Sequence, residues 1–189
     1  EIPGKAADGA KALIDELHSA LDPKAYRKAV ALLAESEFID IFGVENSLTP
    51  AMDLFTKLGY LGLTCRLNTD AYLQQIGAGH LPHGAVAVAF SHSGSSADTV
   101  KALRLAKSHG AKTIAITNAI GAPLASWADV TLLTGRDSHT IYGNAIFSRV
   151  ADTALVDMLY MGVILSDYGR FSTALDESGR MIRDRVFEN

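Results

Sequence analysis

Six consecutive residues, Ser91-His92-Ser93-Gly94-Ser95-Ser96, bring four hydroxyls, an imidazole and a glycine into one turn. The turn follows an apolar, strand-like run, Ala85 to Phe90, and a helical pattern opens near Ala97. A strand-to-helix turn of this kind suits an anion. First-turn backbone N–H groups point at it and the helix dipole favours its charge. Serine hydroxyls add neutral donors, and Gly94 lets the backbone approach closely. Ser95-x-x-Asp98 also reads as a capping box, which many helices use for stability alone. A second loop of similar character, Gly43-Val44-Glu45-Asn46-Ser47-Leu48-Thr49, enters another helical pattern at Pro50. Neither loop holds Lys or Arg, so neutral hydroxyls and amides would do the binding, as fits a monoester phosphate on a larger polar ligand. There is no Gly-x-Gly-x-x-Gly after the first strand and no Gly-Lys-Ser/Thr, so neither a dinucleotide nor a nucleoside triphosphate is indicated. No cofactor is expected.

Other polar residues compete less well. His80-x-x-His83 has metal-ligand types but no recognisable third ligand nearby, so two surface histidines are expected and no metal. The position of His92 suits its backbone N–H to the anion better than its ring. Arg149 and Asp152, three apart on a helical stretch, read as a surface salt bridge. Cys65 and Trp127 read as packing residues.

What must hold the two loops is an alternation of short apolar runs with helical patterns. Strands are expected at Glu37–Phe42, Leu63–Leu67, Ala85–Phe90, Thr113–Thr117 and Val130–Leu133. Between them lie helices at Pro50–Leu58, Asp70–Ile76 and Ala97–Ser108, with a short one near Pro123–Trp127. In Ala97–Ser108 the cations Lys101, Arg104 and Lys107 lie opposite Val100, Leu103 and Ala106, and Gly110 suits the C-terminal stop. Two helices lead, Lys5–Leu21 and a second to about Glu35 capped by Asp22 with Pro23 in its first turn. A tail follows, apolar around much of its circumference from Thr140 to Ser166, then helical from Phe171 to Phe187; that surface needs cover from the sheet or another subunit. The pattern is that of an α/β three-layer sandwich: a five-stranded parallel sheet in flavodoxin-like order 2-1-3-4-5, with N- and C-terminal helical extensions. In that order the ligand crevice lies where the chain reverses, between the first and third strands. Both hydroxyl loops flank that point.

The chain's 189 residues suit one domain, and 48 % hydrophobic with 20 % charged residues is ordinary for a globular one. A net charge of −4 argues against this chain gripping nucleic acid unaided. No apolar run is long enough to span a bilayer, since Asp152, Asp157 and Asp167 bracket the best candidate, so no membrane partner is expected. The lone cysteine, Cys65, fits a reducing cytoplasm. The sequence starts at Glu1 rather than Met, which suggests an excised or partly ordered fragment.

Phe42-Gly43 through Ser47, the Ser91–Ser96 turn and Ala111–Asn118 followed by Pro123-Leu124-Ala125 together resemble the sugar isomerase (SIS) domain, over nearly all of Phe38 to Leu165. Ile41-Phe-Gly-Val-Glu-Asn-Ser47, Ile116-Thr-Asn118 and Phe147-Ser-Arg149 leading to Val156-Asp-Met-Leu159 look closest to the effector domain of RpiR-type bacterial transcriptional regulators. The resemblance implies residues 1–35 as a linker from an upstream helix-turn-helix domain and 36–189 as the phosphosugar-binding domain. It implies a sugar phosphate as ligand, with Ser47, Ser91, Ser93 and Ser96 on the phosphate and the amides around His92 and Gly94 assisting. Family members usually carry glycine where this chain has Glu45. Glu45 and Asn46 would meet the sugar, as would Asp137 and His139 after the last strand. It further implies a cytoplasmic homodimer or tetramer that meets DNA only through the upstream domain. The alternative is a free-standing aldose–ketose phosphosugar isomerase. Asp137 and His139 would then be its catalytic pair, with Asp137 where related isomerases often use glutamate.

Overall fold

A computed structural model describes residues 1–136 and 148–183 of the chain. Five parallel strands, β1 (Ile39–Phe42), β2 (Cys65–Leu67), β3 (Val86–Phe90), β4 (Lys112–Thr117) and β5 (Val130–Leu133), form one sheet in the order β2-β1-β3-β4-β5. This is the expected order, and the reversal between β1 and β3 lies where the alternation placed it. Seven α-helices accompany the strands among the described residues: α1 (Ile2–Ala20), α2 (Pro23–Glu35), α3 (Leu48–Tyr60), α4 (Ala71–Ala78), α5 (Ala97–Ser108), α6 (Val150–Ser166) and α7 (Tyr168–Met181).

Residue size sorts the two faces of the sheet. Alternation along β3 sends Val86, Val88 and Phe90 to one side and Ala87 and Ala89 to the other. The bulky face, with Ile39, Ile41, Ile114, Ile116, Val130 and Leu132, packs against α1, α2, α3, α6 and α7. The alanine face receives α4 and α5 through Ala78, Ala102, Leu103 and Ala106. Small residues on that face let α5 settle close to the strands, which holds its N-terminus beside the end of β3.

Local signals account for the helix boundaries. Asp22 caps α2, accepting the Lys24 N–H at 2.9 Å, with Pro23 in the first turn where its missing N–H costs nothing. Gly110 follows α5 with φ +86°, the left-handed stop. The expected helix near Pro123 is a single 3₁₀ turn, Ala125–Trp127. Trp127 is 38 % exposed, with the Arg104 guanidinium 5.8 Å from its ring centre, so it is a surface stack rather than a core residue.

The tail helix starts at Val150 within the described residues; 140–147 lie outside them, as does Phe187. Its apolar surface is covered largely from within the chain. Leu155, Val156, Leu159 and Val163 are fully buried, and the Tyr26 hydroxyl of α2 donates to the Met158 carbonyl at 2.6 Å. Met161 and Leu165 remain exposed. The last helix begins at Tyr168 rather than Phe171 because Asp167 accepts the Arg170 N–H and caps it there. The leading helices join the same core: Leu17 of α1 and Ala29 and Leu33 of α2 have no exposed surface. No helix among the described residues is long and apolar enough to cross a membrane.

Candidate functional site

A cleft of about 340 Å³ opens beyond the carboxyl ends of β1 and β3, lined by Val44–Ser47, Ser91, His92, Ser93, Ser96, Asp98 and Arg149. That size is in the range of small-molecule sites. Of the phosphate and sugar residues expected from sequence, Ser47, Ser91, His92, Ser93, Ser96, Glu45 and Asn46 all meet here. Asp137 and His139 lie outside the described residues. Gly94 does not line the cleft, and its role differs from the expected one.

The β3 loop is held rigidly from behind. The His92 carbonyl accepts the Asn118 N–H at 3.0 Å and the Thr117 hydroxyl at 3.0 Å, and the Gly94 carbonyl accepts the Leu124 N–H at 2.9 Å. Gly94 has φ +62°, and a Cβ there would collide with Ala122 and lie 2.8 Å from Thr117 Oγ1. Only glycine fits. Its N–H is already given to the Ser91 carbonyl at 2.9 Å, so it shapes the loop and is not a spare donor.

The capping box does not form. The N-cap of α5 is Ser96, which makes no side-chain capping bond. Ser95 instead donates its hydroxyl to the Ser93 carbonyl at 3.2 Å, and Asp98 accepts from Gln75 at 3.0 Å. Ser93 Oγ accepts the Ser95 N–H at 3.3 Å, an arrangement that keeps the serine proton for another acceptor.

The β1 loop is pinned by a residue that sequence reasoning missed. Gln74, 1 % exposed on α4, accepts the Gly43 N–H at 3.3 Å and donates to the carbonyls of Gly43 at 2.7 Å and Asn68 at 2.8 Å. A glutamine in an amphipathic helix gives no signal of such a role. Past Gly43, Glu45 has φ +51°, the left-handed region that side chains disfavour. Glycine, which the resemblance leads one to expect at this position, is the residue this backbone conformation favours.

Arg149 overturns the expectation of a cation-free site. It is the N-cap of α6, its side chain is 14 % exposed, and it reaches the cleft from a third element. Its partner Asp152 is 8 % exposed at the side chain, so the pair is not a surface salt bridge, and the contact is loose at 3.6 Å. Burial pushes the Asp152 carboxyl above the usual aspartate range, against the pull of a Thr134 hydrogen bond and of Arg149 and His92.

Ser47, Ser96 and Arg149 are the N-caps of α3, α5 and α6, and none makes a side-chain capping bond. Three helix N-termini thus meet at one cleft, each adding roughly half a positive charge, although the Ser148 hydroxyl takes the Val150 N–H of α6 at 3.3 Å and the carbonyls of the preceding 3₁₀ turn take the Leu48 N–H of α3. Glu45 and Asp98 supply carboxylates on its exposed side. Among the described residues no group of three or more His, Cys, Asp or Glu could hold a metal ion, and His80 and His83 are both exposed.

The family model for the SIS domain matches residues 32–162. An uncharacterised HTH-type transcriptional regulator of Caldanaerobacter subterraneus subsp. tengcongensis is 30 % identical over 185 residues, 98 % of this chain and 66 % of that protein. The chain spans between about half and two thirds of the curated relatives it matches. Among solved structures, the Vibrio vulnificus NanR protein complexed with ManNAc-6P is 24 % identical with TM-score 0.92, covering all of this chain and 71 % of that one. The sugar isomerase domain of the RpiR transcription factor from Sphaerobacter thermophilus is 22 % identical with TM-score 0.85, covering 94 % of this chain and 98 % of its own. With the model match running from within α2 through most of α6, the chain belongs to the SIS domain family.

Proposed function

We propose that this domain binds a sugar phosphate as the effector of an RpiR-type transcriptional regulator, without turning it over. The observation that carries the reading is the cleft where three helix N-termini and the serine loops meet. A phosphate monoester supplies the acceptors those ends lack. Ser47, Ser91, Ser93 and Ser96 would donate to its oxygens, with the His92 region at its side and Gly94 holding the loop shape. Glu45 and Asn46, on the exposed part of the wall, would meet the sugar, as would Asp137 and His139.

Regulation would follow by linkage: a ligand that prefers one arrangement of subunits shifts the population toward it. The chain has a physical route for this. Thr134 lies beside Asp152, the ion-pair partner of the cleft's Arg149, and two residues on the Arg136 N–H donates to Glu16 of α1 at 2.7 Å and its guanidinium to the Ser19 carbonyl at 3.1 Å. Helix α1 would carry the signal to a helix-turn-helix domain upstream, and residues 1–35 would be the connecting segment. Exposed Met161, Leu165 and Tyr168 would contribute to a homodimer or tetramer in the cytoplasm.

The test is phosphorus NMR of the protein with a panel of pentose, hexose and N-acetylated sugar phosphates, ManNAc-6P among them. Selective broadening of one resonance without new peaks is expected. Ser93→Ala should weaken that ligand by about 1.5–3 kcal/mol, one charge-assisted hydrogen bond. New resonances growing with time would make the protein an isomerase. Silence from the whole panel would refute the reading.

A further inference from the structure

We infer that Arg149 is the cation that takes the ligand's phosphate, with Asp152 as its counter-ion while the cleft is empty. The inference deepens the sugar-phosphate reading and rests on it. Three observations meet on this side chain. It lines the cleft from the N-terminus of α6, opposite no other Lys or Arg in the lining. Its Nε and Nη1 are out of contact with solvent and make no hydrogen bond. Its ion pair with Asp152, at 3.6 Å, lies outside hydrogen-bond range.

A guanidinium buried with two of its nitrogens unused is costly unless an acceptor arrives. The pair that Arg66 makes with buried Asp40 shows what a saturated fork looks like in this fold. Arg66 gives Nε and Nη2 to the two oxygens of Asp40 at 3.0 and 2.6 Å. Asp152 does not do the same for Arg149, whose Nη1 stops 3.6 Å from its carboxylate. What fits the remaining donors is a planar pair of oxygens on a dianion, the geometry a phosphate monoester presents and a neutral sugar does not. The serine hydroxyls and helix amides would hold the same group. The carboxylates of Glu45 and Asp98 face solvent and are not placed to pair with Arg149 in the interior.

The experiment compares wild type, Arg149→Met, Arg149→Lys and Ser93→Ala, with ManNAc-6P and inorganic phosphate as probes titrated by phosphorus NMR and calorimetry. Arg149→Met should bind either probe at least thirtyfold more weakly. Arg149→Lys, which keeps a charge beside Asp152 and therefore the fold, should lose about tenfold because an ammonium cannot form the bidentate contact. Wild-type affinity should fall with added salt more steeply than that of Arg149→Met. If both Arg149 variants bind ManNAc-6P as wild type does while Ser93→Ala loses it, Arg149 is only a structural N-cap and the inference is overturned, with the sugar-phosphate reading intact. If wild type binds inorganic phosphate through Arg149 but no sugar phosphate, the inference stands and the sugar reading fails. Binding of neither inorganic phosphate nor any sugar phosphate of the panel by wild type overturns both.

Discussion

Six helices follow α1, and their N-termini divide into two groups. Asp22, Asp70 and Asp167 cap α2, α4 and α7, accepting first-turn N–H groups at 2.9, 2.9 and 3.0 Å. Ser47, Ser96 and Arg149 begin α3, α5 and α6 without capping them through their own side chains, and all three line the cleft. A capped end has its donors satisfied and its charge answered; its work is stability. The second group keeps more of both for something that comes and goes, α5 most of all, since one amide of α6 goes to Ser148 and one of α3 to the preceding turn. The arginine pairs repeat the contrast, with Arg66 and Asp40 closed on each other and Arg149 and Asp152 held apart. Asp40 is 1 % exposed on the alanine face. Arg66 fits beside it because α4 has Gly77 there, where a Cβ would come within 2.7 Å of the guanidinium.

The sharpest way to break this contrast is to open the closed pair. Arg66→Met should cost about 3 kcal/mol in urea unfolding at neutral pH, the low end for stranding a buried charge because Arg66 is partly hydrated. The folded variant's affinity for whichever sugar phosphate the wild type selects should not change. The sign with pH is also set. Burial holds the Asp40 carboxyl above its ordinary value of 3.8, with Arg66 pulling it back only in part. Without Arg66 it rises further, so the folded variant keeps a proton that the unfolded chain has lost. Its stability therefore falls as pH rises from about 3.8 through the folded value. The deficit relative to wild type should be smallest in acid and grow toward neutrality. A deficit that is flat with pH would mean packing over Phe38, and not charge, is what Arg66 contributes.

A smaller effect tests the helix ends directly. Asp70→Ala should cost about 1 kcal/mol of stability and leave ligand affinity alone. Ser96→Ala should do the reverse, with stability within about 0.5 kcal/mol of wild type and affinity for the selected sugar phosphate down about tenfold. Equal stability losses in the two variants would mean that Ser96 is an ordinary cap after all.

The closed features were easier to see in the sequence than the open ones. Strand order, the Asp22-Pro23 helix start and the bounds of α5 follow from local periodicity and capping chemistry, and the structure agrees on each. Which loops approach each other follows from the order of the strands. Arg149 was not legible as a cleft residue, because an i, i+3 ion pair looks the same on paper whether it faces water or a cleft. A helix as apolar around its circumference as α6 gives no face to orient by. Gln74 was hidden for a related reason: its role depends on α4 lying across the end of β1, a tertiary fact. The expected capping box failed by one residue, since Ser95 turned back to Ser93 and left Ser96 at the helix start. One signal was available and unused. Asp40 is a charged residue inside a buried strand, and Arg66 sits in register with it on β2.

The smallest effect comes from the two loops themselves, each of which turns through a left-handed residue. In the β3 loop that residue is Gly94, and in the β1 loop it is Glu45, the residue other than glycine with positive φ among those described. Holding glutamate there costs about 1 kcal/mol, which a binding role would offset. Glu45→Gly should therefore raise stability, by about 0.5–1 kcal/mol in urea unfolding after the greater freedom of glycine in the unfolded chain is counted. Its effect on binding should depend on the probe. Inorganic phosphate should bind the variant at least as well as wild type, because a nearby carboxylate has been removed from an anion site. The sugar phosphate that wild type selects should bind more weakly, because a contact to sugar hydroxyls has gone. If both probes tighten together, Glu45 does no more than repel the phosphate, and the strained turn must be explained by something other than sugar recognition.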